Sequence, residues 1–418
     1  MARGGRHPLA ERAAYGHPAL CVHLMDENPN SLLSSAAELR DAALGELLMK
    51  MVLIAPRKYV QGRGVMAEIG TYLKMLGKRP LLLWDSMVRG LVGDTVLKSA
   101  DAAGLELMDV EFAGEATKEE GQRIAQVARQ QNADVVAGIG GGKVIDIAKA
   151  AAWGTSIKLM TVPTIAATDA PTSAATVWYD AQSNFTGFDC WPFNPDIVLV
   201  DTQVIANGPP RAFAAGMGDA LSTWIEAEAS YKSRAPNIAG GVSTQAALAI
   251  ARLGYDLLME YGVEALRAVR QKVVTPAVEK IVEANVLHSG LGFESGGLAT
   301  AHMIANPLSN FPECKGMMHG EKVGFGIVTQ LCLDEDTKAE TMNRIVDFEI
   351  AIGLPVTFAD LNLHNVTRDR LRVIGEACGG PGSLCHNHCF KVTVDSAIDA
   401  MFAADAVGRA RKAAAGIG

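Results

Sequence analysis

The sequence predicts an α/β N-terminal domain built on a parallel sheet, followed by an all-helical C-terminal domain. Short apolar runs alternate with stretches of helical periodicity from residue 51 to about 208. The Pro209-Pro210 pair then interrupts the chain, and beyond it long helical patterns such as VSTQAALAIARLGYDLLMEYG and TPAVEKIVEANVLHSGLG replace the strand-like runs. Alternating strands and helices imply a parallel sheet with helices on both faces, since each parallel connection needs a crossover.

Residues 1–50 read as an N-terminal extension, either disordered or upstream of the true start. Arg3, Arg6 and Arg12 are mixed with Glu11, Asp26, Glu27 and Glu38, and no apolar stretch precedes a small-residue cleavage site, which makes a poor secretory signal and a poor transit peptide. Met51 opens the strand-like MVLIAP. RPLLLWD at 79–85, ADVVAGI at 133–139 and SIKLMTVPT at 156–164 are apolar runs of strand length. EEGQRIAQVARQQ at 119–131 and KVIDIAKAAA at 143–152 have helical period. The α/β domain is assigned to 51–208 and the helical, metal-binding domain to 209–418.

A chain of 418 residues exceeds one common domain. Hydrophobic content of 49% with 20% charged residues is ordinary for a globular protein, and no apolar run approaches the ~20 residues of a membrane span. A net charge of −8 without a Lys/Arg block argues against nucleic acid or an anionic membrane as partner. Seven cysteines, an odd number, do not form a disulfide framework and point to the reducing cytoplasm. The Cys385-His386-Asn387-His388-Cys389 cluster is too short for all its side chains to face one ion, and is not read as a second metal site.

The chemistry is concentrated in HSGLGFESGGLATAHMIANPLSNFPECKGMMHGEKV, residues 288–323. His302 lies in an apolar helical run and His319 opens a new helix, with Pro307, Pro312 and Gly316 between them. One straight helix cannot carry both, so they meet by a fold-back. Asp219, in GMGDALSTW, supplies a third candidate ligand. One carboxylate and two imidazoles favour tetrahedral zinc with one position open, the catalytic pattern. In the first domain Gly140, Gly141 and Gly142 stand between a strand and a helix, where backbone N–H groups and the helix N-terminus suit a pyrophosphate. Asp85, closing RPLLLWD, is placed to accept hydrogen bonds from a ribose and to repel a 2′-phosphate, so NAD is expected over NADP; its alternative role is a helix N-cap.

Five segments in register, GGGKVIDIAKA (140–150), VPTIAATDAPTSA (162–174), GDALSTWIEAEA (218–229), GLGFESGGLATAH (290–302) and HGEKVGFGIVTQL (319–331), resemble the glycerol dehydrogenase family. This is the zinc-dependent branch of the iron-type alcohol dehydrogenases, and the resemblance runs from about Lys58 to the C-terminus. It implies a Rossmann-like, dehydroquinate synthase-like fold, with Asp219, His302 and His319 as zinc ligands. It further implies that Gly142, Lys143, Thr164, Thr168, Ser173 and Tyr179 line NAD, that Asp169 and His302 meet the substrate, and that Phe293 forms an apolar wall. Asp169 precedes Ala170-Pro171, where an Asx-turn is the other use of the residue.

The implied reaction is oxidation of glycerol or a related vicinal diol to dihydroxyacetone or its equivalent, by hydride transfer from a zinc-bound alkoxide to NAD. The implied assembly is a homo-oligomer, often an octamer. Several positions depart from the family pattern. Thr223 stands where iron-type members have a further histidine, which favours zinc, and Ala305 stands where relatives often have one, which points to a drier pocket. The segment 185–196 is more aromatic than usual. The alternatives are a dehydrogenase or reductase of another small polyol or hydroxycarboxylate, a 3-dehydroquinate synthase-like lyase, for which Lys315 and Lys322 are the main nearby cations, and a non-catalytic homologue.

Overall fold

The computed structural model describes residues 50–417; residues 1–49, which hold nearly all of the expected N-terminal extension, lie outside them. Strands β1 (Tyr59–Gly62), β2 (Pro80–Trp84), β3 (Met108–Glu111), β4 (Val135–Gly140), β5 (Lys158–Pro163) and β8 (Ile197–Asp201) form one six-stranded sheet in the order β1-β8-β5-β4-β2-β3. Every pairing in it is parallel. Strand β2 shows why its sequence is continuously apolar. Leu81 and Leu83 enter one core with Ile124, Val136 and Ile147, while Leu82 and Trp84 enter another with Ile69, Leu73, Val92 and Val96. Side chains alternate faces along a strand, so a strand covered on both sides must be apolar at every position.

Helices α1 (Ile69–Leu76) and α2 (Ser86–Ala102) supply one covering layer, and α3 (Lys118–Gln130) and α4 (Gly142–Thr155) the other. The chain passes from β2 outward to β3 and then back across β2 to β4. The strand order therefore reverses between β2 and β4. A crevice at the carboxyl ends of strands at such a reversal is where open α/β sheets bind ligands.

Two local expectations change. MVLIAP is not a strand of the sheet. Val242 N–H donates to Lys50 O (2.9 Å), Val52 N–H to Val242 O (3.2 Å), and Asn237 Nδ2 to Val52 O (3.0 Å). Its backbone is thus satisfied by a loop of the helical part, and the sheet begins only at Tyr59. The aromatic segment 185–196 contains a strand that was not anticipated: β6 (Ala175–Tyr179) and β7 (Phe185–Cys190) pair as an antiparallel hairpin, anchored by Trp178, whose Nε1 donates to Asp189 (2.7 Å) and whose ring packs into the core beside α3 and α4.

After the short α5 (Thr202–Asn207), helix α6 (Pro210–Ser233) starts with proline at its first position, where the missing N–H costs nothing. Helices α7 (Gln245–Arg270), α8 (Pro276–Glu283), α9 (Ser289–Gly296), α10 (Thr300–Leu308), α11 (His319–Leu333), α12 (Ala339–Ile352), α13 (Arg368–Gly379) and α14 (Val394–Ala414) follow. A π turn at Ala284–His288 joins α8 to α9. Among the described residues no helix is long and apolar enough to cross a membrane.

Candidate metal and dinucleotide site

Helix α6 is buried along most of its length and carries Asp219 on its inner face. His302 lies on α10 and His319 is the first residue of α11; the 3-10 turn Pro312–Cys314 reverses the chain between them. Close approach of α6 and α11 brings His319 to Asp219. A Cβ on Gly320 would stand 1.8 Å from Ala215 O, and one on Gly218 2.5 Å from Gly320 O, so two backbones meet where only glycine leaves room.

The three donors converge. His302 Nε2 and His319 Nε2 lie 3.5 and 3.4 Å from the same atom, Asp219 Oδ1, and the three ligand atoms fall within 4.8 Å of one another. Asp219 Oδ1 is buried and accepts no hydrogen bond. An orphaned carboxylate oxygen facing two imidazole nitrogens fits a divalent cation, since buried polar atoms are otherwise almost always paired. His319 has 28% of its side chain exposed against 11% for His302, so the approach to the cluster is from the His319 side.

Glu226, two turns beyond Asp219 on α6, completes the cluster. Its Oε2 lies 2.5 Å from His302 Nδ1, and its Oε1 accepts from Ala299 N–H (2.8 Å) and His302 N–H (3.1 Å). A carboxylate on Nδ1 keeps the proton there and turns the Nε2 lone pair toward Asp219.

Burial opposes charge on every member of the cluster. Without a metal, the attraction of Glu226 and Asp219 outweighs burial and holds the His302 pKa well above the usual imidazole range, so a cation taking the Nε2 lone pair would displace a proton there. For His319 burial prevails and lowers the pKa to about 4, leaving the neutral, ligating form at physiological pH. Asp219 and Glu226 are held below the carboxylate range despite burial, Asp219 by His319 and His302 and Glu226 by His302. Asp169 is pushed well above that range by burial and by Asp219.

Asp169 stands beside the cluster. Its N–H donates to Asp219 Oδ2 (3.3 Å) and its Oδ2 accepts from Ser289 Oγ (3.0 Å). Asp85 and Gly140–Gly142 end the adjacent strands β2 and β4, on the two sides of the strand-order reversal. A Cβ on Gly141 would meet only Ile165 at 3.3 Å or more, and one on Gly142 only Thr168 Oγ1 (3.4 Å) and Ala170 (3.8 Å). A Cβ at 141 would thus press on Ile165, whereas packing does not demand glycine at 142, which leaves that backbone open to close approach by a ligand.

Asp85 caps α2, its Oδ1 accepting from Val88 N–H (2.8 Å), so the capping role is realised. Thr164 N–H donates to Gly140 O (3.1 Å). Lys143 pairs with Glu115 (2.7 Å) and lies 5.0 Å over the Tyr179 ring, whose hydroxyl is pushed above its ordinary pKa by burial. Ser173 is buried against Lys149 (3.3 Å).

Phe293 packs with Ala175 and Leu298 in a small apolar cluster. Ala305 is fully buried in the same core as Val323 and Ile327. In the cysteine–histidine segment the side chains part: His386 Nε2 meets Gly380 O (2.9 Å), and His388 Nε2 meets Thr300 Oγ1 (2.9 Å). Sequence reasoning missed Glu226 and Ser289. Glu226 had a readable signal, because seven residues from Asp219 places it on the same helix face; Ser289 had none, since the π turn before it shifts the helical phase.

Comparison with known proteins bears on this site. The sequence pattern of the iron-containing alcohol dehydrogenases matches residues 56–202. A glycerol dehydrogenase of Pseudomonas putida is 43% identical over 361 residues, covering 86% of this chain and 99% of that protein. A glycolaldehyde reductase of Halobacterium salinarum is 40% identical, covering 86% and 99%. The crystal structure of glycerol dehydrogenase from Schizosaccharomyces pombe superposes with a TM-score of 0.83 at 34% identity, covering 88% of this chain and 93% of that one.

Proposed function

Because this chain belongs to the glycerol dehydrogenase group of the iron-containing alcohol dehydrogenase family, we propose that it oxidises glycerol, or a closely related vicinal diol, to dihydroxyacetone or the matching hydroxyketone, with NAD as oxidant and zinc as the metal. The observation that carries this reading is the convergence of Asp219, His302 and His319 on one buried point beside Asp169. A cation held there would supply Lewis-acid polarisation of an alcohol oxygen, and NAD would supply the hydride acceptor.

The chain's own groups do the rest. Asp219 and the two imidazole Nε2 atoms hold the cation, and Glu226 orients His302. Asp169 accepts a hydrogen bond from the hydroxyl next to the reacting carbon, which fixes the diol and selects it over a simple alcohol. The N–H groups after β4 receive the pyrophosphate, and Asp85 accepts from the adenosine ribose. Glycine at 142 and the strand-order reversal support that placement. Similarity to the glycolaldehyde reductase favours a second reading, net reduction of a 2-hydroxyaldehyde at the same site.

A substrate panel tests the proposal: glycerol, 1,2-propanediol, 2,3-butanediol and 2-hydroxy acids with NAD, and glycolaldehyde with NADH. Highest kcat/KM on glycerol or another vicinal diol is expected. A best substrate among the 2-hydroxy acids, or no NAD-linked activity on any of them, would reject it.

A further inference from the structure

Two buried hydroxyls lie behind Asp169. Ser289, the first residue of α9, donates to Asp169 Oδ2 at 3.0 Å, and Thr223 on α6 stands 3.0 Å from Ser289 Oγ. Both are 1% exposed, so water does not compete for either. Ser289 Oγ donates its one proton to Asp169 Oδ2, so its oxygen is left to accept from Thr223 Oγ1. The donor chain therefore runs one way, from Thr223 through Ser289 to Asp169.

The backbone is arranged for this contact. Val286 O, within the π turn at Ala284–His288, accepts from Thr172 Oγ1 (2.6 Å), and the same hydroxyl reaches Asp169 O (3.3 Å). A Cβ on Gly290 would stand 1.8 Å from Thr172 Oγ1, and one on Gly292 2.4 Å from Thr223 Cγ2. The start of α9 is thus pressed onto both the Asp169 loop and α6 at the level of the hydroxyl pair.

We propose that Ser289 and Thr223 are positioning residues for substrate recognition: their hydroxyl chain holds Oδ2 of Asp169 and leaves Oδ1 to the second hydroxyl of a vicinal diol. This rests on the reading of Asp169 given above. Neither residue touches the substrate. Thr223 also occupies the turn of α6 after Asp219, so the site uses there a neutral donor in place of a fourth ligand.

The test compares kcat/KM for glycerol with that for 1-propanol, and measures zinc affinity by chelator competition, in Ser289→Ala, Thr223→Val, Thr223→Ser and Asp169→Asn. Loss of the donor that leaves the buried Asp169 Oδ2 unsatisfied should lower the glycerol-to-propanol ratio roughly 10- to 100-fold in Ser289→Ala, and loss of the outer link roughly three- to tenfold in Thr223→Val. Thr223→Ser, which keeps the hydroxyl, should restore the ratio, and zinc affinity should stay within about threefold of wild type. Equal losses on both alcohols, or a tenfold or larger loss of zinc affinity, would assign the pair to packing or to the metal cage and overturn the proposal. Thr223→Val conserves volume and carries the test if Ser289→Ala does not fold. If Asp169→Asn leaves the ratio unchanged, the reading of Asp169 fails and this inference with it. If Asp169→Asn lowers the ratio and neither hydroxyl variant does, the inference alone fails.

Discussion

Replacing Glu226 by glutamine separates the metal site from the fold. The glutamine carbonyl can still accept from Ala299 N–H and His302 N–H, which Glu226 Oε1 does at 2.8 and 3.1 Å. Its NH2 would then face His302 Nδ1, where Oε2 stands at 2.5 Å in the wild type. A donor at that place forces Nδ1 to accept and moves the imidazole proton to Nε2, the atom aimed at Asp219. Loss of such a carboxylate partner typically weakens metal binding ~10- to 100-fold, about 1.4–2.8 kcal/mol. The Glu226→Ala variant provides the contrast, since it leaves two buried backbone N–H groups unpaired, at about 1–3 kcal/mol each, in addition to His302 Nδ1. Zinc affinity by chelator competition, together with thermal melts of metal-free protein, reads both effects. The expected pattern is a glutamine variant that melts near wild type but binds zinc weakly, and an alanine variant that loses both. Zinc affinity within about threefold of wild type in Glu226→Gln would refute the argument that Glu226 sets the tautomer.

Asp85→Ser keeps a side chain able to cap α2 but removes the charge at the end of β2, so the NAD-to-NADP ratio of kcat/KM should fall by roughly tenfold, the equivalent of ~1.4 kcal/mol, with little change in melting temperature; an unchanged ratio would leave Asp85 as a cap only. Glu349 is fully buried with both carboxylate oxygens unpaired, and burial pushes its pKa well above the usual 4.5. A raised pKa in the folded state means that the residue's contribution to stability is fully present below 4.5 and is lost as the pH rises through the folded value. Glu349→Met should therefore stabilise the protein more at about pH 8 than at about pH 4, by a difference of about 1–3 kcal/mol; equal melting shifts at both pH values would contradict this.

Strands β2, β4 and β5 were legible because both faces of each are covered, which makes the sequence continuously apolar over strand length. MVLIAP has the same local character, yet its backbone pairs with Val242, a tertiary choice that periodicity cannot see. The β6–β7 hairpin escaped notice because its second strand is only half-buried, so glycine and polar residues alternate with its aromatics. The three clustered donors could be named from residue type and spacing, whereas their convergence depends on the glycine-to-backbone contact between α6 and α11. Ala305, one turn after His302, is packed into the core of the helical part, an environment that residue type alone does not disclose.

The most direct measurement is a zinc titration of chelator-stripped protein, following NAD reduction with glycerol in the wild type and in His302→Ala. The stripped enzyme should be folded but inactive, activity should return and saturate at one zinc per chain, and the variant should not recover. Turnover in the stripped wild type, or zinc-restored turnover in His302→Ala, would contradict the zinc assignment.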